Sequence, residues 1–214
     1  SLLRDHGALS KSDLVRLTKR TSTTIATILD DLLGEELVEL VEDYSATGSE
    51  TSRGRPAMFY SLNGRSWIIA GLQIASNSIT AVVINLHGDV LQSGVTVAPA
   101  DMPQQTVLDQ ACELLDALLA QTMTPGAKLM GIGIALEGLV DIEAGLSLWM
   151  LFRKHWQDVP VAEYFRQRYG VPTLIEYRVY SAALAEAVYG AGRGVSDFAY
   201  LNIDTGVAVA SVVS

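Results

Sequence analysis

Between Trp67 and Val97 the chain carries three strand-length runs in close succession: Trp67 to Ile74, Ser78 to Asn85 and Val90 to Val97. Each is rich in Val, Ile and other apolar residues, and turn chemistry separates them. Leu86-His87-Gly88-Asp89 makes the second turn, so His87 reads as a turn residue and not as a ligand. Connections this short reverse the chain, which makes the three strands antiparallel. The pattern then changes period. Gln104 to about Gln121 reads as a helix with Val107, Leu108, Ala111, Leu114, Leu115, Leu118 and Leu119 on its inner side, ended by Thr124-Pro125-Gly126. Leu129 to Ala135 is a buried strand, and a loop with Gly138 and Gly145 leads into the segment from Trp149 to Trp156. A helix from Val161 to Tyr169 stops at Gly170; Val171 to Glu176 is a strand and Ser181 to Tyr189 a helix. Phe198 to Ile203 and Val207 to Val213 are apolar strands about Asp204-Thr205-Gly206.

Three antiparallel strands followed by alternating helices and strands is the order expected of a ribonuclease-H-like or actin-like α/β lobe. The last strand pair would open a second such lobe, and the chain stops at Ser214 in mid-pattern. The expectation is an incomplete second lobe, in a shortened product or one whose remainder is not represented. The single Cys112 rules out an internal disulfide and a cysteine zinc cluster, and its helical setting makes it core. No apolar run reaches membrane-spanning length and no signal-peptide pattern is seen, so a cytoplasmic protein without a membrane partner is the default.

Ahead of this lobe, Gly7 to Val41 reads as two short helices and the start of a strand. Ser10 and Asp13 have capping-box spacing, and Leu14 and Leu17 face inward. After the polar turn Thr18 to Thr21, Ser22 or Thr21 caps a second helix whose Ile25, Ile28, Leu29, Leu32 and Leu33 form one apolar face. Its other face carries small polar residues, Thr23, Thr24 and Thr27. Leu37 to Glu42 and Arg55 to Leu62 read as strands around a polar loop. Helix, helix, strand, loop, strand is the order of a winged helix, with Ser22 to Thr27 suited to a major groove and Arg53 and Arg55 to the minor groove beside it. The residues alone also fit a solvated helical hairpin with a solvated loop tip. Asn63 to Ser66 is a turn-like break, which gives domains of 1–64 and 65–214.

The net charge of −9 argues against a general nucleic-acid binder. Residues 1–65 carry eight Lys and Arg against ten Asp and Glu, and the remainder seven against fourteen. Lys11, Lys19, Arg20, Arg53 and Arg55 are the candidate phosphate and groove contacts. So few cations imply modest affinity with a shallow salt dependence, so specific binding would lean on dimerisation.

The segment Gly131-Ile-Gly-Ile-Ala-Leu-Glu-Gly-Leu-Val-Asp141 resembles the GIGIALPGLVD stretch of the ROK family (repressors, open reading frames and kinases). Ala182 to Glu186, Gly190 to Gly194 and Tyr200 to Gly206 resemble its next segments in order, and Leu9 to Leu14 with Gly54-Arg55-Pro56 resemble the winged-helix extension of its repressor branch. The resemblance implies a DNA-binding domain on a sugar-kinase-like effector domain, acting as a homodimer on a double-stranded inverted-repeat operator, with a sugar or sugar derivative as effector.

The departures from the family pattern are as informative. The DxGGT-type phosphate loop of family kinases is replaced by Gln73-Ile-Ala-Ser-Asn77, and Ala75 and Ser76 are poorer than glycines for close backbone approach to phosphate. The END segment, which holds the catalytic Asp in those kinases, reads Glu176-Tyr177-Arg178, and arginine cannot act as a general base near neutral pH. Asp204-Thr205-Gly206 sets a carboxylate where polyphosphate would bind. The family's cysteine-rich zinc motif would lie beyond Ser214. The reading is a non-catalytic regulator with neither cofactor nor metal; a kinase with an atypical site and a truncated interaction protein are the alternatives. Glu137, Glu176, Tyr177 and Arg178 are the candidate ligand contacts. Tyr177 and Arg178 either bind a different, anionic ligand or fill a dead pocket. Glu137 reads as a solvated loop carboxylate, and Trp149 and Trp156 as packing residues beside the cleft.

Overall fold

The computed structural model describes residues 2–41, 58–204 and 206–213. They form two compact units, one of 1–68 with 84–90 and 123–129, the other of 69–83, 91–122 and 130–214.

The first unit contains α1 (Leu2–His6), β1 (Leu9–Ser10), α2 (Lys11–Thr18), α3 (Ser22–Gly34), β2 (Val38–Val41) and β3 (Phe59–Leu62). The strands make a small antiparallel sheet in the order β1-β3-β2, with Tyr60 opposite both Leu9 and Leu40. The expected capping box is present. The Asp13 amide donates to Ser10 Oγ at 3.2 Å, and the Ser10 amide donates to Asp13 Oδ2 at 3.3 Å. Lys19, in the left-handed region at φ 55°, ends α2. Of the two candidate caps for α3, Thr21 serves, with its Oγ1 accepting from the Thr24 amide at 3.2 Å. Leu3, Leu14, Ile25, Leu29 and Val38 form the core. Leu17 and Ile28, expected inside, are 40% and 45% exposed. A unit this small covers only the centre of each apolar stripe, so residues at its margin stay wet. The short α1 gave no periodic signal in the sequence, yet its Leu3 closes the core.

Trp67 and Lys128 belong to the same unit. Trp67 Nε1 donates to the Glu35 carbonyl at the end of α3 over 2.9 Å. Lys128 Nζ pairs with Glu36 at 3.0 Å and lies 5.3 Å from the centre of the Trp67 ring. The Asn63 amide donates to the Leu37 carbonyl at 3.0 Å.

The remaining elements are β4 (Trp67–Ile74), β5 (Ser78–Asn85), β6 (Val90–Val97), α4 (Gln104–Thr122), β7 (Lys128–Leu136), β8 (Leu139–Asp141), β9 (Leu146–Trp149), β10 (Gln157–Val159), α5 (Val161–Tyr169), β11 (Thr173–Tyr177), α6 (Arg178–Tyr189), β12 (Phe198–Ile203) and β13 (Val207–Val212). Five strands form one sheet in the order β11-β7-β4-β5-β6. The first three strands lie in sequence order, and β7 and then β11, parallel to each other, are added beside the first. α4 packs over the β6 side, where a side chain at Gly94 would meet Leu114 at 3.0 Å. Tyr169 on α5 donates to Asp116 on α4 at 2.8 Å, and Tyr164 donates to Asp109. Phe165 beneath them is fully buried. Cys112 is buried in α4 as expected, and burial raises its thiol pKa.

Two expectations are corrected. The region read as a loop with Gly138 and Gly145, leading to Trp149, contains β8 and β9, which with β10 form an antiparallel three-stranded sheet. Strands of three or four residues are too short to show a period of two. In addition, α6 begins at Arg178, three residues before the expected start at Ser181.

Candidate functional site

The parallel pair β7 and β11 sets the site. Leu136 lies opposite Tyr177 in their register, so the residues that leave the two strand ends, Glu137 and Arg178, emerge side by side. Ligands of open α/β sheets gather outside such carboxyl ends. Here a cavity of about 450 Å³ opens, lined by both residues together with Trp149, Phe152, Tyr177, Tyr180 and Asn202. Its walls are largely apolar, with few polar groups, as is common in small-molecule sites. Phe152, 59% exposed, holds a left-handed φ of 68°, an unfavourable conformation for an aromatic residue. Trp149 lines the cavity and does not serve as buried packing. Trp156 does, being 1% exposed with Nε1 donating to Ser147 Oγ at 2.8 Å.

Glu137 is not a solvated carboxylate. Its Oε2 accepts from the Ser76 amide at 2.9 Å and lies 2.5 Å from Ser76 Oγ. Its Oε1 lies 3.5 Å from Arg178 Nη1, and the same nitrogen is 3.5 Å from Asp204 Oδ2. Ser76 sits in the turn between β4 and β5. Behind that turn is Arg153, 3% exposed, which donates to the Ala75 carbonyl from Nε at 3.1 Å and Nη2 at 2.9 Å. It also donates to the Ala98 carbonyl at 2.9 Å and the Pro99 carbonyl at 3.1 Å. Burial lowers the pKa of this guanidinium, and the nearby Glu137 charge opposes that shift. The turn therefore has a cation behind it and a carboxylate on its exposed amide. The Ser76 amide and hydroxyl are thus engaged by a carboxylate of the chain itself.

Of the four candidate ligand contacts, Glu137, Tyr177 and Arg178 line the cavity. Glu176 does not: one residue earlier on β11, it belongs to the other side of the strand, beside Gly71 and Gly133, and its Oε1 accepts from the Tyr177 amide at 2.7 Å. Sequence reasoning missed Ser76 as the partner of Glu137, missed Arg153 entirely, and did not single out Phe152, Tyr180 or Asn202. Only Ser76 had a signal, through its place in the turn after the first strand of the lobe.

In the first unit, Ser22, Thr23, Thr24 and Thr27 are all exposed on α3, and Lys19 and Arg20 are exposed in the turn that leads into it. Lys11, at the start of α2, is half-buried. The first turn of α3 carries no acidic residue. Thr27 Oγ1 donates to the Thr23 carbonyl at 3.3 Å, and Thr21 and Thr24 share a hydroxyl contact of 2.9 Å. Arg53 and Arg55 lie outside the described residues. Among the described residues no His, Cys, Asp and Glu cluster could hold a metal ion, and no helix is long and apolar enough to cross a membrane.

The DNA-binding transcriptional repressor Mlc of Escherichia coli (strain K12) is 28% identical over 208 residues, which cover 96% of this chain and 50% of that protein. The xylose repressor of Bacillus subtilis (strain 168) is 21% identical over 206 residues, covering 96% of this chain and 52% of the repressor. The chain thus spans about half the length of these curated relatives. Among solved structures, a ROK family transcriptional regulator described as a homolog of the E. coli MLC protein has a TM-score of 0.79 and 22% identity, covering 99% of this chain and 52% of that one. A ROK family glucokinase from Streptomyces griseus in complex with glucose and AMPPNP has a TM-score of 0.58 and 25% identity, covering 68% of this chain and 44% of that one. The mixed α/β fold is therefore one shared by ROK regulators and by sugar kinases. The ROK family profile matches residues 69–214, well over half of the chain. On that match, this chain belongs to the ROK family.

Proposed function

We propose that the chain is the DNA-binding and ligand-sensing part of a transcriptional repressor of sugar-related genes. The observation that carries this reading is the exposed Ser22, Thr23, Thr24 and Thr27 face of α3, free of acidic residues in its first turn and preceded by Lys19 and Arg20. In this reading residues 1–64 are a winged helix-turn-helix domain. α3 enters the major groove, Lys11 contacts a phosphate, and Arg53 and Arg55 reach the adjoining minor groove. Residues 65–214 are the effector part, whose cavity takes a sugar or sugar derivative. Two copies read an inverted repeat as a homodimer, and ligand binding biases their spacing. The similarity to repressors across nearly the whole chain supports this assignment.

A kinase is the second reading, favoured by the fold shared with the glucokinase. Arg178 at the expected catalytic position and the engaged Ser76 amide count against it. The regulator reading is tested on duplex DNA selected by this protein from a randomised pool. Thr27→Glu places a carboxylate on the exposed face of α3, where it costs little stability, and is expected to weaken duplex binding at least roughly tenfold. Arg55→Ala is expected to weaken binding with an unchanged melting temperature. Unaltered affinity for both variants in a gel-shift titration would overturn the interface.

A further inference from the structure

The donors around the turn between β4 and β5 form an anion seat. The Ser76 amide and hydroxyl point at one carboxylate oxygen from 2.9 and 2.5 Å. The guanidinium of Arg178 stands 3.5 Å from the other, and Arg153 lies behind the turn on the Ala75 carbonyl. A backbone N–H, a hydroxyl and the Arg178 guanidinium recognise a compact oxyanion, while Arg153 fixes the turn from behind through the Ala75, Ala98 and Pro99 carbonyls. The anion in the seat is the chain's own.

We infer that Glu137 is a resident anion that closes this seat to phosphate-bearing ligands and so sets the cavity's specificity for uncharged ones. The carboxylate is tethered to the end of β7, so its effective concentration at Ser76 exceeds that of any free anion at millimolar level. A free phosphate would have to displace Glu137 and also face its charge and that of Asp204, which shares Arg178. Ser76 Oγ has a single proton to donate, and it lies 2.9 Å from the Leu151 carbonyl as well as 2.5 Å from Glu137. The carboxylate, a charged acceptor, competes with that carbonyl for the proton. Arg178 accordingly faces Glu137 and Asp204, each 3.5 Å from its Nη1.

This inference concerns which ligand the cavity admits. No DNA enters its test, so its failure leaves the repressor reading standing. The test follows the Ser76 amide by NMR in the wild type, Glu137→Ala and Glu137→Gln, each titrated with inorganic phosphate and, separately, with acetate. In the wild type the amide is expected to exchange slowly and its resonance to stay fixed in both titrations. In Glu137→Ala it is expected to exchange roughly tenfold faster or more, and added phosphate or acetate is expected to restore the protection. Glu137→Gln keeps the size and an acceptor oxygen, so it serves if the Ala variant does not fold. Its Ser76 resonance is expected to shift with phosphate where that of the wild type does not. A merely structural glutamate would give no dependence on added anion. The proposal is overturned if both variants are as silent to phosphate as the wild type, or if the wild type itself takes up phosphate at millimolar concentration.

Discussion

Asp13 exchanges hydrogen bonds with Ser10 at the start of α2, and this geometry makes a pH prediction. The Ser10 hydrogen bonds, then the Arg16 ion pair, hold the Asp13 carboxyl below its ordinary value. Its native pKa is thus lower than the unfolded one. The stabilisation is complete above the unfolded pKa, about 3.9, and is lost as pH falls through the native value. Asp13→Asn leaves the Ser10 cap in place but removes the N3 charge, and is expected to cost up to about 1 kcal/mol near neutral pH, the worth of a carboxylate in the first turn of a helix. Urea melts at neutral pH and near pH 3 should show the difference between variant and wild type shrinking in acid. An undiminished difference would mean that the charge of Asp13 plays no part. Ser10 and Asp13 are three positions apart, so the capping box was visible in the sequence. Glu137 teaches the opposite lesson. Its partner Ser76 is 61 positions away, and no local pattern announces a bond across that distance. Glu176 and Arg178 looked equivalent as neighbours on a short motif. Strand alternation sends Glu176 away from the cavity, and the start of α6 sets Arg178 at its edge.

Secondary-structure elements were legible wherever the period ran long enough. β4, β5 and β6 and the helix α5 begin and end where the sequence placed them, because eight or nine residues carry two or more full periods. β8, β9 and β10 escaped notice for the reverse reason, and the segment from Trp149 to Trp156 that holds Arg153 was assigned to no element. A buried arginine satisfied by carbonyls leaves no compositional trace. The link between the end of α3 and the start of β4 was also invisible, since it depends on the Trp67 indole reaching the Glu35 carbonyl. Trp67→Phe keeps most of the ring and deletes that bond, and is expected to cost about 1 kcal/mol. Lys128→Ala removes an exposed ion pair and a ring contact, for an expected loss below about 1 kcal/mol. Because Lys128 lies over the Trp67 ring, a double-mutant cycle by chemical denaturation should show non-additive losses. Strict additivity would show that the two contacts act independently.

For the molecule as a whole, the order of segments in the sequence anticipated an α/β lobe that opens on three consecutive strands, and β4, β5 and β6 do lie side by side in one sheet with β7 and β11. Element order transmits topology well because short connections leave few alternatives. Which surfaces meet DNA or ligand is a different kind of information, held by side chains from distant segments. The proposed interface has the exposed face of α3 read a specific duplex, with two copies doing so together. Selection from a randomised duplex pool, followed by sequencing of the bound fraction, tests both parts in one measurement. Enrichment of an inverted repeat is expected, with half-sites separated by about one helical turn of 10 bp or a multiple of it. A pool that emerges without enrichment, or enriched for a single unrepeated site, would contradict it.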